Sequence, residues 1–395
     1  MIESQRARVS PSGRCTRRDW LVLAASTVGA LAAACAPTPP PPKPAEAPKP
    51  AAPAAPAASP AASPAASPSP SPAAAAPAAP AAAAAAGTAA APFKAKEMTP
   101  VTQMMNWFAQ SAHGGLYAAL KNGDYERANL KMTNEQGGPQ TPVLPQIGAG
   151  KVQFGMLQAD QIFLGREQGI PLVGVFSVFQ TNPQGLMYHQ ENAVKDFPDL
   201  NGRKVYVSPS ATYWQYLVKK YQLDKVQQFN YNGQLAIYLG DKEVVFQCYV
   251  TTEPLAAKKQ GANPGYLLNA DSGFNPYGNI MTTTEQMIKD KPDVVQAYVS
   301  ASLIGWKDYL QRPEPTLAFI KENNKDYDVQ LGAETAVIER DFVLPKSKDV
   351  KGIGAISEER MRTLYDQLRD VAMLKNEHDV KQTFDSTFID NAQKG

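Results

Sequence analysis

From residue 98 onward, short apolar runs alternate with segments whose apolar positions fall three and four apart, so strands and short helices are predicted in turn. Residues 99–106 predict an entering strand. The helix that follows, through Leu116, Tyr117, Ala119 and Leu120, stops at Asn122-Gly123. Residues 130–135 predict a strand ended by Gln136-Gly137-Gly138-Pro139, and Thr141 opens a short helix reaching Ile147. A strand at 152–156, a helix at 159–168 and a long apolar strand at 171–179 complete this unit. The rhythm then restarts with a strand at 203–207, a helix containing Thr212, Tyr213, Trp214, Tyr216 and Leu217, a strand at 226–231, a helical turn at 235–239 and a buried strand at 244–250. After residue 284 the pattern is helical, at 285–289, 292–311, 315–323, 331–342 and 357–374. Strands alternating with helices predict an α/β chain with parallel or mixed sheets covered on both faces. Two such units and a helical tail predict two lobes with a cleft between them, the C-terminal helices packing back on the first. Lobe 1 is expected over 98–190 plus 279–395 and lobe 2 over 191–278, with crossovers near 188–193 and 277–281.

The first 97 residues read differently. Arg6, Arg8, Arg14, Arg17 and Arg18 precede the apolar run LVLAASTVGALAAA from Leu21 to Ala34, which is too short to cross a bilayer comfortably. Basic, apolar and small residues in that order describe an export signal over 1–35. Thr16-Arg17-Arg18-Asp19-Trp20-Leu21 is similar to a twin-arginine signal, although the general export route stays open. Ala32-Ala33-Ala34-Cys35 is similar to a lipoprotein cleavage box, so Cys35 is the expected lipidation site and the chain an extracytoplasmic protein tethered to the cell membrane. A soluble secreted form and an uncleaved anchor are the alternatives. Residues 36–97 hold a proline-punctuated alanine tract that cannot form a core and reads as a disordered spacer. Eighteen of the 34 prolines lie between Pro37 and Pro92.

Charge and cysteine content narrow the chemistry. A formal net charge of +2 over 395 residues gives no basic face, which argues against nucleic acid as a partner. With Cys15, Cys35 and Cys248 as the only cysteines, a disulfide scaffold and a thiolate zinc cluster are excluded, and no metal or cofactor is expected. GxGxxG, a phosphate loop, HExxH and GxSxG are all absent. Asp124, Glu126, Glu135, Asp160 and Asp271 offer carboxylates at spacings that make no metal or glycosidase site, and most are expected on solvated surface or in turns.

Several segments, weak singly, are specific in their order. They are Asn106-Trp107 with His113-Gly114-Gly115-Leu116-Tyr117-Ala118-Ala119, Gly148-Ala149-Gly150-Lys151-Val152-Gln153-Phe154-Gly155, Gly169-Ile170-Pro171-Leu172-Val173, Phe179-Gln180-Thr181-Asn182-Pro183, Asp199-Leu200-Asn201-Gly202-Arg203-Lys204-Val205 and Thr252-Glu253-Pro254. With the helix at 294–306 they cover most of residues 98–312. In them the chain resembles the substrate-binding proteins of ABC importers, in the group related to the thiamine-pyrimidine synthesis protein. The resemblance implies a bilobal periplasmic-binding-protein fold, type II-like, with an interlobe ligand cleft. It implies a monomer that captures a small planar heteroaromatic and delivers it to a permease and its ATPase, without being an enzyme.

Aromatic and amide groups at strand ends can stack on and hydrogen-bond such a ring. Trp107 and Phe108 follow the first strand, and Trp107 either contacts ligand or packs in the core. Phe179 either faces ligand or finishes a buried strand, while Gln180 and Asn182 are expected to meet ligand polar atoms. Tyr213 and Trp214 are adjacent on a helix and cannot point the same way. Tyr249 and Glu253 resemble the cleft side of the second lobe, where Glu253 either accepts from a ring or holds the hinge loop. His113 resembles a ligand-contacting histidine of the group and can equally be structural. Where pyrimidine-binding relatives tend to carry a glycine-rich turn with glutamate, this chain has Ser208-Pro209-Ser210-Ala211-Thr212-Tyr213-Trp214. That departure favours riboflavin as ligand, with a thiamine pyrimidine precursor, a sulfonate or another small molecule as alternatives. An extracytoplasmic enzyme or sensor on the same fold is the second class. The related synthases use a cysteine-rich stretch, against which this chain offers Cys248 alone beyond residue 35.

Overall fold

The computed structural model describes residues 93–139, 141–208, 211–344 and 352–394. The expected export signal, Cys35 and all but the end of the spacer lie outside the described residues. The first unit runs β1 (Thr99–Met104), α1 (Gly114–Lys121), α2 (Asp124–Arg127), β2 (Leu130–Glu135), α3 (Val143–Gly148), β3 (Phe154–Leu157), α4 (Ala159–Glu167) and β4 (Leu172–Phe179). The second runs β5 (Gln184–His189), β6 (Lys204–Val207), α5 (Thr212–Tyr221), β7 (Gln227–Asn230), α6 (Leu235–Gly240), β8 (Val244–Tyr249), α7 (Glu253–Lys259) and β9 (Pro264–Leu268). The chain returns through β10 (Gly278–Thr284) and ends in α8 (Glu285–Asp290), α9 (Pro292–Gln311), α10 (Glu314–Asn323), α11 (Val329–Val343), α12 (Glu358–Asp370) and α13 (Thr387–Lys394).

The two sheets repeat one plan. The first has the order β2-β1-β3-β10-β4 and the second β7-β6-β8-β5-β9. In the first, β1 runs parallel to β2 and β3, and β10 lies antiparallel between β3 and β4. In the second, β6 runs parallel to β7 and β8, and β5 lies antiparallel between β8 and β9. Each sheet thus takes its antiparallel strand from the segment that has just crossed over. Residues 184–189, expected in the first lobe, form the inner strand of the second sheet, and the outward crossover falls at 180–183 rather than 188–193.

Both inserted strands escape a reading by periodicity for physical reasons. Gln184-Gly185-Leu186-Met187-Tyr188-His189 has no β-branched residue and opens on a polar side chain and a glycine. Its strand state comes from ladders on both edges. In β10, Thr282 and Thr283 look solvent-facing but are fully buried, their hydroxyls donating to Ile280 O and Gln153 O at 3.2 and 2.7 Å.

Of the C-terminal helices, α9 and α13 pack on the first unit, while α12 touches both α4 and α5 and α11 both β4 and α7. α9 lies across α1, and Gly114 and Gly115 make that approach possible: a Cβ on Gly115 would stand 2.1 Å from the Trp306 ring, and one on Gly114 2.2 Å from Tyr309. The residues after α11 and α12 close the free edge of β4, where Gly174 N donates to Thr383 O and Ser177 N to Gly354 O. Covered on both faces and along its edge, β4 is buried at every position, which explains its unbroken apolar run.

Candidate ligand site

In sheets of this plan, ligand groups gather outside the carboxyl ends of the parallel strands. A cavity of about 740 Å³, open in part to solvent, lies between the two sheets at those ends. Asn106, Trp107 and Gln110 reach it after β1, Gln158 and Gln161 after β3, and Asn279 from the start of β10. From the second sheet come Tyr231 after β7, Gln184 at the head of β5, and Gln247, Cys248, Tyr249, Thr252 and Glu253 around the end of β8.

A neutral hydrogen-bond network ties the sheets together across this cavity. Asn279 Oδ1 accepts from Asn106 Nδ2 at 3.0 Å and from the Tyr249 hydroxyl at 3.2 Å. Gln158 Nε2 donates to Tyr249 OH at 3.1 Å, and Gln158 Oε1 accepts from Asn182 Nδ2 at 3.0 Å. Asn279 holds a left-handed backbone, φ 49°, which asparagine tolerates better than most residues. A second link lies outside the cavity: Thr212 Oγ1 of α5 donates to Asp160 Oδ2 of α4 at 2.5 Å. Asp160 and Asp124, expected on surface or in turns, are buried at 4% and 1% exposure. Asp160 is held by Thr212, and Asp124 pairs with Arg127.

The cavity carries one carboxyl. Burial pushes Glu253 up to about 7, against the pull of the Tyr249 N–H, which donates to Glu253 Oε2 at 2.8 Å, and of the Tyr231 hydroxyl. Burial also raises the Tyr249 and Tyr231 hydroxyls and the Cys248 thiol, so all three are neutral near pH 7. No lysine or arginine lines the cavity among the described residues. Asparagine and glutamine present a donor and an acceptor side by side, and seven of them face inward, matching ring edges that carry N–H and C=O or ring nitrogen and amino groups.

Trp107, Tyr249 and Glu253 line this cavity, whereas the other residues predicted from sequence stand elsewhere. Phe108 is 48% exposed and meets Trp107 edge to face. Phe179 is fully buried and packs its ring against Tyr249 at 6.1 Å. Gln180 donates to Ala355 O at 3.0 Å, beneath the crossover. Asn182 orients Gln158 and so stands one layer behind the wall. Tyr213 does the same for Gln247, donating to its Oε1 at 2.9 Å. Trp214 is buried with its indole N–H on Gln228 Oε1 at 2.8 Å. His113 is fully buried, neither ring nitrogen has a hydrogen-bond partner, and burial pushes it down to about 3, so its imidazole is neutral. The lining residues not among the candidates are Asn106, Gln110, Gln158, Gln161, Gln184, Tyr231, Gln247, Cys248, Thr252 and Asn279. The signal available for Asn106, Gln158, Gln184, Gln247 and Asn279 was a polar amide within two residues of a strand end, which only the crossovers reveal as one set; Gln110, Gln161, Tyr231, Cys248 and Thr252 carried no such signal.

The paired sheets and the cavity between them have the architecture of periplasmic substrate-binding proteins. The periplasmic aliphatic sulphonate-binding protein of Escherichia coli superposes with a TM-score of 0.56 at 14% identity, over 72% of this chain and 91% of that one. The family described as "NMT1/THI5 like" matches residues 110–316, and the chain belongs to it. It is similar to the riboflavin-binding protein of Chloroflexus aurantiacus, 24% identical over 76% of this chain and 88% of that protein. It is also similar to the formylaminopyrimidine-binding protein of Halalkalibacterium halodurans, 20% identical over 64% of this chain and 79% of that protein. A 4-amino-5-hydroxymethyl-2-methylpyrimidine phosphate synthase of Legionella pneumophila matches over 27% of this chain only. Among the described residues no helix is long and apolar enough to cross a membrane.

Proposed function

We propose that the chain is the extracytoplasmic solute-binding component of an ABC importer. It captures a neutral planar heteroaromatic, riboflavin in the first instance, and hands it to a permease and its ATPase. The observation that carries this reading is the lining of the cavity: seven amides, two tyrosines, a tryptophan and one carboxyl that titrates near neutrality. Such a wall reads the imide edge of a flavin or the amino edge of a pyrimidine, with Trp107 as the stacking surface. A sulfonate carries a fixed negative charge, and this wall sets no cation against it. Binding without turnover is supported by the limited match to the synthases and by the Cys248 thiol, kept protonated by burial. Tethering through Cys35, extracytoplasmic location and a monomeric state belong to the same proposal.

The test is native mass spectrometry of the full-length chain purified without refolding, followed by titration with riboflavin. Quenching of tryptophan and flavin fluorescence that saturates at one ligand per chain supports the reading. Trp107→Ala should weaken binding by about tenfold or more, the worth of one stacking platform in a dry site. If no flavin mass is carried and no quenching occurs, riboflavin is refuted, and the formylaminopyrimidine relative then directs the same titration to aminopyrimidines.

A further inference from the structure

A second cavity adjoins the first. It measures about 850 Å³, open in part to solvent, and shares Trp107, Gln110 and Thr252 with the main cavity as a common wall. Its far side is built by Ser111 at the end of the β1 loop, by Asn324, Asp326, Tyr327 and Asp328 before α11, and by Leu331, Gly332 and Thr335 on α11 itself.

This chamber differs from the main one in chemistry. Ser111, Tyr327 and Thr335 present hydroxyls to it, and Tyr309 and Glu339 lie behind them. Thr335 is 1% exposed, and its Oγ1 has no hydrogen-bond partner. No hydrogen bond of ordinary geometry reaches the Tyr327 or Tyr309 hydroxyl or either Glu339 oxygen, although the Ser111 hydroxyl lies near enough to act on all three groups. Leaving several hydroxyls buried and under-bonded is costly unless something polar meets them. Each can both donate and accept, which is the pattern an alcohol offers in return.

The charge around the chamber is negative. Asp326 and Asp328 stand at its mouth. The nearby Lys259 lies 3.6 Å from Asp328 and 3.5 Å from Glu334, so its charge is already answered. Lys325, between Asn324 and Asp326 in the chain, is not part of the lining, so a phosphate placed here would meet Asp326 and Asp328 with no lysine or arginine in the wall among the described residues.

We infer that this chamber is a second subsite, taking the neutral hydroxylated tail of a ligand whose flat ring occupies the main cavity, and that it turns away the tail's phosphate ester. The inference rests on the proposed heteroaromatic binding and adds the part of the ligand that the amide-lined cavity does not read.

The experiment titrates the full-length chain with three probes: riboflavin, lumiflavin, which is the same isoalloxazine ring with a methyl in place of the tail, and riboflavin 5′-phosphate. Riboflavin should bind about tenfold or more tightly than either of the others, since one loses the hydroxyl contacts and the other brings an uncompensated charge. Thr335→Val should weaken riboflavin by about fivefold and leave lumiflavin unchanged, which also shows that the variant is folded. Lumiflavin binding as tightly as riboflavin, or riboflavin 5′-phosphate binding as tightly, overturns the subsite and leaves the ring site standing. Thr335→Val weakening both probes equally also overturns it. If none of the three binds, the flavin reading itself is refuted and the subsite goes with it.

Discussion

Replacing Glu253 with glutamine isolates the titration of one buried carboxyl. Its side chain sits among Tyr231, Cys248 and Tyr249, all neutral, and its charge in turn helps to raise the buried Glu339. Unfolded, a glutamate titrates near 4.3; folded, this one is pushed up to about 7 by burial. Between those values the native chain holds the extra proton, so stability is fully present at low pH and falls as pH rises through 7. The full shift corresponds to roughly 3–4 kcal/mol, and partial access to solvent through the cavity reduces this to about 2 kcal/mol. Glutamine keeps an acceptor for the Tyr249 N–H, 2.8 Å away, and cannot ionise. The stability of Glu253→Gln relative to the parent should therefore rise by about 2 kcal/mol between pH 4.5 and pH 8. Urea unfolding midpoints at several pH values measure it, and the carboxyls that do not feel Glu253 cancel in the difference; Glu339, pushed up to about 8, does not, so Glu253→Gln is compared in a Glu339→Gln background as well. A difference between the two proteins that stays level across this range would refute the burial argument.

Two further outcomes follow from packing and from the network across the cavity. In an unpacked helix, glycine to alanine stabilises by about 1 kcal/mol, but Gly115→Ala places its methyl 2.1 Å from the buried Trp306 ring and should destabilise by about 1–3 kcal/mol instead. A thermal shift upward would show that α9 yields at no cost. Tyr249→Phe removes the hydroxyl that joins Gln158 to Asn279, and should lower the urea midpoint by an amount equivalent to about 1–2 kcal/mol with m unchanged. An unchanged midpoint would mean that the network across the cavity contributes nothing to stability.

What the sequence determined by itself was the local rhythm and its punctuation. The helices from 285 onward, the strands at 171–179 and 244–250, and the restart near residue 203 all follow from periodicity and turn residues, because those signals act over a few neighbours. The ordered segments from Asn106 to Pro254 carried the family likeness. Tertiary structure decided the exchange of strands between the sheets, since β5 and β10 are held by partners far away in sequence rather than by their own propensities. It also decided which polar residues meet. Gln158, Gln247 and Asn279 belong to different strand ends, and only the two crossovers bring them to one cavity, while Tyr213 and Asn182 are left to support it from behind. The proton on Glu253 has the same origin. A glutamate's charge is ordinary in any sequence, and here a long-range enclosure of tyrosines and a thiol removes the water that would have kept it ionised.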